Sequence, residues 1–235
     1  KIGPIARSTG DCAIVFDAIR GFDGRDPTVI DLPFPYRHGR GLAGLRIGYL
    51  EKALGEDGPG HDLDRASLDV LRDLGAELVP VCLPHEDQGL DPYDLSFILS
   101  VEAAAAFQEL TLSGRDDELV RQVRRAWPYT FRSAHMVPAV EYIQANRHRL
   151  QLMEMMVGVF EDVDVYLTPS FTGESLLITN LTGHPQVVVP NGFTAENAPH
   201  SISVVGRLFD EATVLAVAEA YQQATDWHRN TPPGF

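Results

Sequence analysis

The chain has 235 residues, 44% of them hydrophobic and 22% charged, an ordinary balance for a folded protein with apolar material enough for a core. Its formal net charge of −14 sets it against nucleic acid and against anionic membrane surfaces, since both need basic partners. No run of 18 apolar residues is present, so no membrane span is expected. No secretory leader is visible either, although a chain starting at Lys1 leaves room for one removed.

In chain order, the first element expected is a helix over residues 9–20, with Ser8 as N-cap, Asp11 three residues on and Gly21 as the stop. A loop rich in Gly, Pro and Asp over 22–44 leads to a strand, LRIGYL, at 45–50. An amphipathic helix over 61–75 follows, with Leu63, Leu68, Leu71 and Leu74 near one face, and then a strand at 76–84. Such a strand–helix–strand unit implies a parallel crossover. The middle reads as three helices: 94–111, 116–125, and a long one over 138–161 with proline in its first turn. VDVYLTPS at 163–170 is a strand. Three valines at 187–189, stopped by Pro190, Asn191 and Gly192, make a very short one, and SISVVG at 201–206 another. A closing helix begins near Asp210, with Val214, Val217 and Tyr221 on its buried face, and a polar tail starts at Asp226. Helices between and outside strands give an α/β class with a mixed β-sheet.

Motifs of chemistry are sparse. GRGLAG at 39–44 has the spacing of a dinucleotide loop but precedes a strand instead of following one, so no nucleotide is expected. The eight histidines lack an HExxH pair, His148 has no helical partner, and His85, Glu86 and Asp87 read as a solvated loop; no metal or organic cofactor is expected. There is no G-x-S-x-G elbow. Cys12 and Cys82, in apolar surroundings, read as core thiols of a reducing, cytoplasmic compartment. Asn180 to Thr182 matches the glycosylation pattern, which counts only in a secreted chain. Asp210 and Glu211 at a helix start are ordinary dipole compensation, or a carboxylate for a ligand's cation. Arg125 is a solvated residue, or a clamp for a substrate carboxylate.

Four separated stretches resemble one family in order. IGPIARSTGDCAIVFDAIRGFDGRDPT is similar to the G-P-h-A-R-[ST]-x-x-D-x-A segment of amidase signature enzymes, and LRIGYL to the strand after it. DVYLTPS resembles D-h-h-h-x-P-[TS]. NLTGHPQVVVPNGF with GRLFDEATVLAVAEAYQ resembles N-x-x-G-x-P-x-h-x-h-P-x-G and the last helix. The resemblance implies that the strand inside GHPQVVVPNG belongs to a central sheet and that a polar turn before it borders the substrate channel. Thr168, Thr179, Asn180, Thr182 and His184 become substrate-pocket candidates on that ground. Arg125 and Asp210 fall near the places where glutamine-using members hold substrate carboxylate and ammonium.

The family hydrolyses amides with a Ser–cis-Ser–Lys triad and a Gly/Ser-rich oxyanion loop, placed before the GPIAR segment. The chain starts two residues before that segment, and the basic residues are 17 arginines with only Lys1 and Lys52 as lysines. Arginine cannot serve as the neutral base, and neither lysine has a serine motif nearby. No catalytic residue is therefore assigned. The expectation is an incomplete amidase-like domain, with a strand and helix layer over 1–90, a helical region over 91–161, and a sheet with the final helix over 162–235. Inactive alone, it would be the C-terminal half of an enzyme whose partners are a small-molecule amide and the missing N-terminal half, with a homo-oligomer also expected if the chain stands by itself. A non-catalytic scaffold and the A-subunit of an amidotransferase are the other readings.

Overall fold

The computed structural model describes residues 3–84, 89–171 and 174–232, so Lys1 and the loop reading for His85, Glu86 and Asp87 lie outside the described residues. Two compact units divide the chain, one formed by residues 1–83 and 156–235 and the other by 84–155.

The first unit is built on a five-stranded sheet. β1 (Arg46–Leu50) lies parallel to β2 (Glu77–Val81) on one side and to β3 (Val165–Pro169) on the other. β5 (Pro199–Gly206) runs antiparallel to β3, and β4 (Gln186–Phe193) antiparallel to β5, giving the order β2-β1-β3-β5-β4. The sheet is mixed and flanked by helices, as the sequence pattern implied. The crossover from β1 to β2 is made by α2 (Glu51–Gly55) and α3 (His61–Asp73).

β4 is longer than its three valines suggested. Pro190, Asn191 and Gly192 do not end it; the ladder continues to Phe193 through a register shift between Pro190 and Gly192. Among the described residues β4 pairs only with β5, so the missing Pro190 N–H falls on an edge strand of the described sheet at an irregularity, where a proline is tolerated.

One face of the sheet carries the core. Ile47, Val165, Leu167, Val189, Ile202 and Val204 pack with Leu71 of α3 and with Val214, Val217, Ala218 and Tyr221 of α9 (Glu211–Thr225). Val214, Val217 and Tyr221 are buried as their spacing required, and burial extends without a break from Ala212 to Glu219. Each such aliphatic side chain contributes about 1.5–3 kcal/mol by leaving water. Of the four leucines only Leu71 is fully buried, Leu74 lying just past the end of α3; Asp64 and Ser67 take the other inward positions.

α1 (Thr9–Ile19) is capped by Ser8, whose hydroxyl accepts from Asp11 N at 3.1 Å. It is tied to α9 through Gln222 Oε1, which accepts from Thr9 N at 2.9 Å and from Thr9 Oγ1 at 3.2 Å. Cys12 is half-buried, and desolvation pushes its thiol up. Cys82 is exposed, not a core thiol: it lies just past the end of β2, an outermost strand of the described sheet, and it is the next residue, Leu83, that is buried.

The second unit is helical but differs from the pattern reading. The helix expected over 94–111 begins as a 3-10 turn (Pro92–Leu95), continues as α4 (Phe97–Ala106), breaks at Phe107 and resumes as α5 (Gln108–Leu112). Phe107 at the break stacks on Phe131, with ring centroids 5.2 Å apart, and Phe131 stacks on Trp127 at 5.5 Å. Phe131 and Trp127 belong to α6 (Trp127–Ala134), which periodicity did not reveal. The helix expected over 116–125 does not form. Arg115–Glu118 is a single 3-10 turn, Leu119 is extended, and Arg125 has φ 73°. Gln122 Nε2 donates to the Asp116 and Leu119 carbonyls, both at 2.8 Å, and so takes acceptors that a helix would have used. Asp116 is buried and paired with Arg132, a contact 16 residues away that no local pattern encodes. The long helix is α7 (Ala139–Val159).

No helix of the described residues is long and apolar enough to cross a membrane.

Candidate functional site

Opposite the core, the same sheet shows a polar face at the end of β3. Cross-strand partners share a face, so Thr168, Ser203 and Val188 stand in one row, and Tyr166, Val205 and Gln186 in the next. Strand alternation brings Ser170 and Ser201 to this face too. The result is a hydrogen-bonded line. Ser201 Oγ and Ser203 Oγ both donate to Ser170 Oγ, at 3.0 and 3.1 Å. Gln186 Nε2 donates to Ser203 Oγ at 2.7 Å, and Gln186 Oε1 lies 3.3 Å from Thr179 Oγ1, whose single proton is shared with Leu176 O at 3.0 Å.

Thr179 arrives on α8 (Ser175–Thr182), a helix where the sequence reading placed a polar turn. Gly183 was read as framing the strand; it is the left-handed residue that ends α8, φ 89°, its N–H bonded to Thr179 O. Ser175 at the start of α8 meets Tyr166 OH at 3.0 Å, both groups buried. Burial raises the Tyr166 phenol above its ordinary 10.0, and the Ser175 contact only partly offsets this. Tyr221, on the core side, is raised for the same reason, more than Ser67 lowers it, with Asp64 adding to the rise.

A linkage effect follows. The folded state keeps these protons where the unfolded chain, titrating near pH 10, releases them. The stability contribution is complete below about pH 10 and is lost as pH rises beyond it. Tyr166→Phe should flatten the alkaline limb of a stability–pH curve from denaturant melts; an unchanged limb would show that Tyr166 is not its source.

The candidates from the sequence are placed unevenly. Thr168, Thr179, Thr182 and His184 are all buried, and Thr168 and Thr179 belong to the polar rows just described. Thr182 Oγ1 gives its proton to Ile178 O at 2.8 Å, so its 2.7 Å contact with His184 Nδ1 takes the ring's N–H. The His184 ring also stacks on Phe160, centroids 5.2 Å apart. Asn180 is exposed and turns its amide back onto Leu176 O at 2.7 Å. Asp210 is the N-cap of α9, its carboxylate accepting from Thr213 N at 3.2 Å. Arg125 lies in the second unit, exposed. Ser170, Ser201, Ser203 and Gln186 were not singled out; the alternation S-I-S in SISVVG was the available signal.

The row is neutral. It can hold a polar, uncharged group by donors and acceptors but contains no base able to take a proton from serine. Among the described residues, no group of three His, Cys, Asp or Glu could hold a metal ion.

The mixed sheet flanked by helices is a fold shared with solved amidases. The peptide amidase of Stenotrophomonas maltophilia superposes with a TM-score of 0.78 at 24% identity, covering 99% of this chain and 54% of that one. A bacterial aryl acylamidase of the amidase signature family gives 0.77 at 23%, covering 97% and 53%. Residues 1–178 match the amidase family model, and the chain belongs to that family. Among curated relatives, the glutamyl-tRNA(Gln) amidotransferase A-subunit of Roseiflexus castenholzii is 33% identical over 275 residues, covering 99% of this chain and 55% of the relative. That of Gluconobacter oxydans is 27% identical over 275 residues, covering 97% and 54%. The chain spans about half the length of the curated relatives it matches.

Proposed function

We propose that this chain is the C-terminal portion of an amidase signature hydrolase, supplying one wall of the pocket for a carboxamide while the triad and oxyanion loop come from the portion that precedes it in the family. The reading is supported chiefly by the neutral Ser170, Ser203, Gln186 and Thr179 row on the polar face of the sheet. It is also supported by the lysine inventory. Lys52, the one lysine among the described residues, stands exposed on α2 and is not among the residues of the polar row. Thr168, Thr179, Thr182 and His184 are the wall's candidates; Asn180 stands on the outer side of α8. The reaction would run through an acyl-serine in a cytoplasmic enzyme with no metal.

A second reading, the A-subunit of an amidotransferase, is favoured by the names of the relatives. It needs Asp210 to receive a substrate ammonium, and that carboxylate is engaged in capping α9. A scaffold with no catalysis is the third.

The test is turnover. The 235-residue chain should release no aniline from acetanilide, whereas the same chain joined to the N-terminal region of a family relative should do so. Glutamine hydrolysis by the joined protein in preference to acetanilide would move the reading to an amidotransferase. Turnover by the chain alone, abolished by Lys52→Met, would overturn it. A folded but inert joined protein would favour the scaffold.

A further inference from the structure

In the buried run of α9 from Ala212 to Glu219, Glu219 is the only charged residue, and it is 3% exposed. A carboxylate taken out of water is costly unless it is paired and hydrogen-bonded. Gly39, 180 positions earlier, donates its N–H to Glu219 Oε2 at 2.9 Å, and His38 Nδ1 contacts Glu219 Oε1. Gly39 has φ 70° and opens the GRGLAG stretch. A turn with the spacing of a dinucleotide loop thus holds a carboxylate of its own chain.

The segment before it is anchored to α1. Phe34 meets Phe16 edge to face, ring centroids 5.1 Å apart, and stacks on Tyr36 at 5.8 Å. The Arg20 guanidinium lies 5.5 Å from the Phe34 ring centre, and Arg20 Nη1 donates to Leu32 O at 2.6 Å. Between residues 21 and 40 only Phe34 and Tyr36 are not exposed. Residues 32–39 therefore form a strap, with aromatic anchoring on α1 and a polar clasp on α9.

The clasp is asymmetric. The His38 side chain is 75% exposed and that of Glu219 4%. Protons exchange freely at the imidazole, whereas the carboxylate regains water only if the strap lifts. Around it, Tyr36 stays a neutral phenol, burial first and the Glu219 carboxylate next pushing it above its ordinary 10.0. Arg40 keeps its charge, and Leu74 beyond the end of α3 and Gln223 of α9 carry none. Of these side-chain types, only imidazole ordinarily changes charge between about pH 5 and 8.

We propose that His38 and Glu219 latch the strap to α9 while His38 is protonated, and that the strap lifts as the imidazole becomes neutral. A neutral ring no longer balances the buried charge, and water relieves an uncompensated carboxylate. The latch is thus present at acid pH and lost as pH rises. A cavity of ≈ 330 Å³ is lined by Gly39, Arg40, Leu42, Leu74, Glu219 and Gln223, so lifting the strap removes one of its walls. The latch is independent of any amidase activity.

The experiment follows backbone hydrogen exchange in the isotope-labelled 235-residue chain between about pH 5.5 and 8, each amide read against its intrinsic rate at that pH. Protection of Gly39 N–H should fall about fivefold as pH rises, the margin between a charge-assisted and a neutral hydrogen bond. Thr9 N–H, bonded to Gln222 Oε1 on the same helix, should keep its protection. His38→Lys retains a cation across the window and should hold Gly39 protected throughout. Glu219→Gln keeps an acceptor without the charge and should remove the pH dependence. Constant protection of Gly39 in the wild type, or a fall that survives either variant, would overturn the proposal. A fall shared by Thr9 would overturn it as well, since α9 itself would then be opening.

Discussion

Replacing Asp64 with alanine is expected to destabilise the chain by about 3 kcal/mol, the range for removing one member of a buried hydrogen-bonded charge cluster. Asp64 is 4% exposed on α3. It accepts from Asn191 Nδ2 at 2.8 Å and, through both oxygens, from His200 Nε2 at 3.1 Å. The network continues as Asn191 Nδ2 donates to Ser67 Oγ at 3.3 Å and Ser67 Oγ meets Tyr221 OH at 3.0 Å. Four elements, α3, β4, β5 and α9, are joined in this way on the core side of the sheet. Among the described residues Asn191 Oδ1 already has no partner although it is buried, so losing Asp64 would leave most of that amide unsatisfied. Gly60 supplies the space. Its φ is 85°, and a Cβ there would lie 2.5 Å from the His200 ring. The measurement is a chemical-denaturation cycle of Asp64→Ala and Asn191→Ala. Coupling above about 1 kcal/mol is expected for residues in one network, and additivity within about 0.5 kcal/mol would show that the network is not a unit.

Gly206→Ala is expected to cost about 3 kcal/mol, at the upper end for overpacking a filled core. Gly206 ends β5, and a Cβ there would stand 2.2 Å from Val214 Cγ2, closer than any real contact. Val214 is fully buried near the start of α9, so relief requires moving the helix or the valine. Val214→Ala makes room for the new methyl. The double variant should therefore be more stable than the sum of the two single losses by at least about 1 kcal/mol. A double variant no better than that sum would place the strain in the backbone instead of at this contact.

How much of this was legible in the sequence depends on how local each cause is. The Ser8 cap, the β1–α3–β2 crossover and the buried face of α9 follow from spacing within a few residues, and all three stand in the structure. The reading failed where a distant partner decides. Asp116 is captured by Arg132, so an apparently helical charged run becomes a turn. Family resemblance implied a polar turn before the strand, yet Ser175–Thr182 forms α8, which runs up to Gly183. The polar face was half visible. Thr168 and Thr179 came from family resemblance, while Ser170, Ser203 and Gln186 matter only once β3, β4 and β5 are paired, which spacing within one strand cannot state.

Pro80 and Pro190 have a joint consequence. β2 and β4 are the two outermost strands in the described sheet, and each carries a proline inside its paired span. Neither lateral margin therefore offers an unbroken row of N–H donors, and a strand from a second molecule laid against either one would meet a gap in the ladder. Sideways growth of this sheet into a continuous intermolecular array is disfavoured by two residues that contribute nothing to the site.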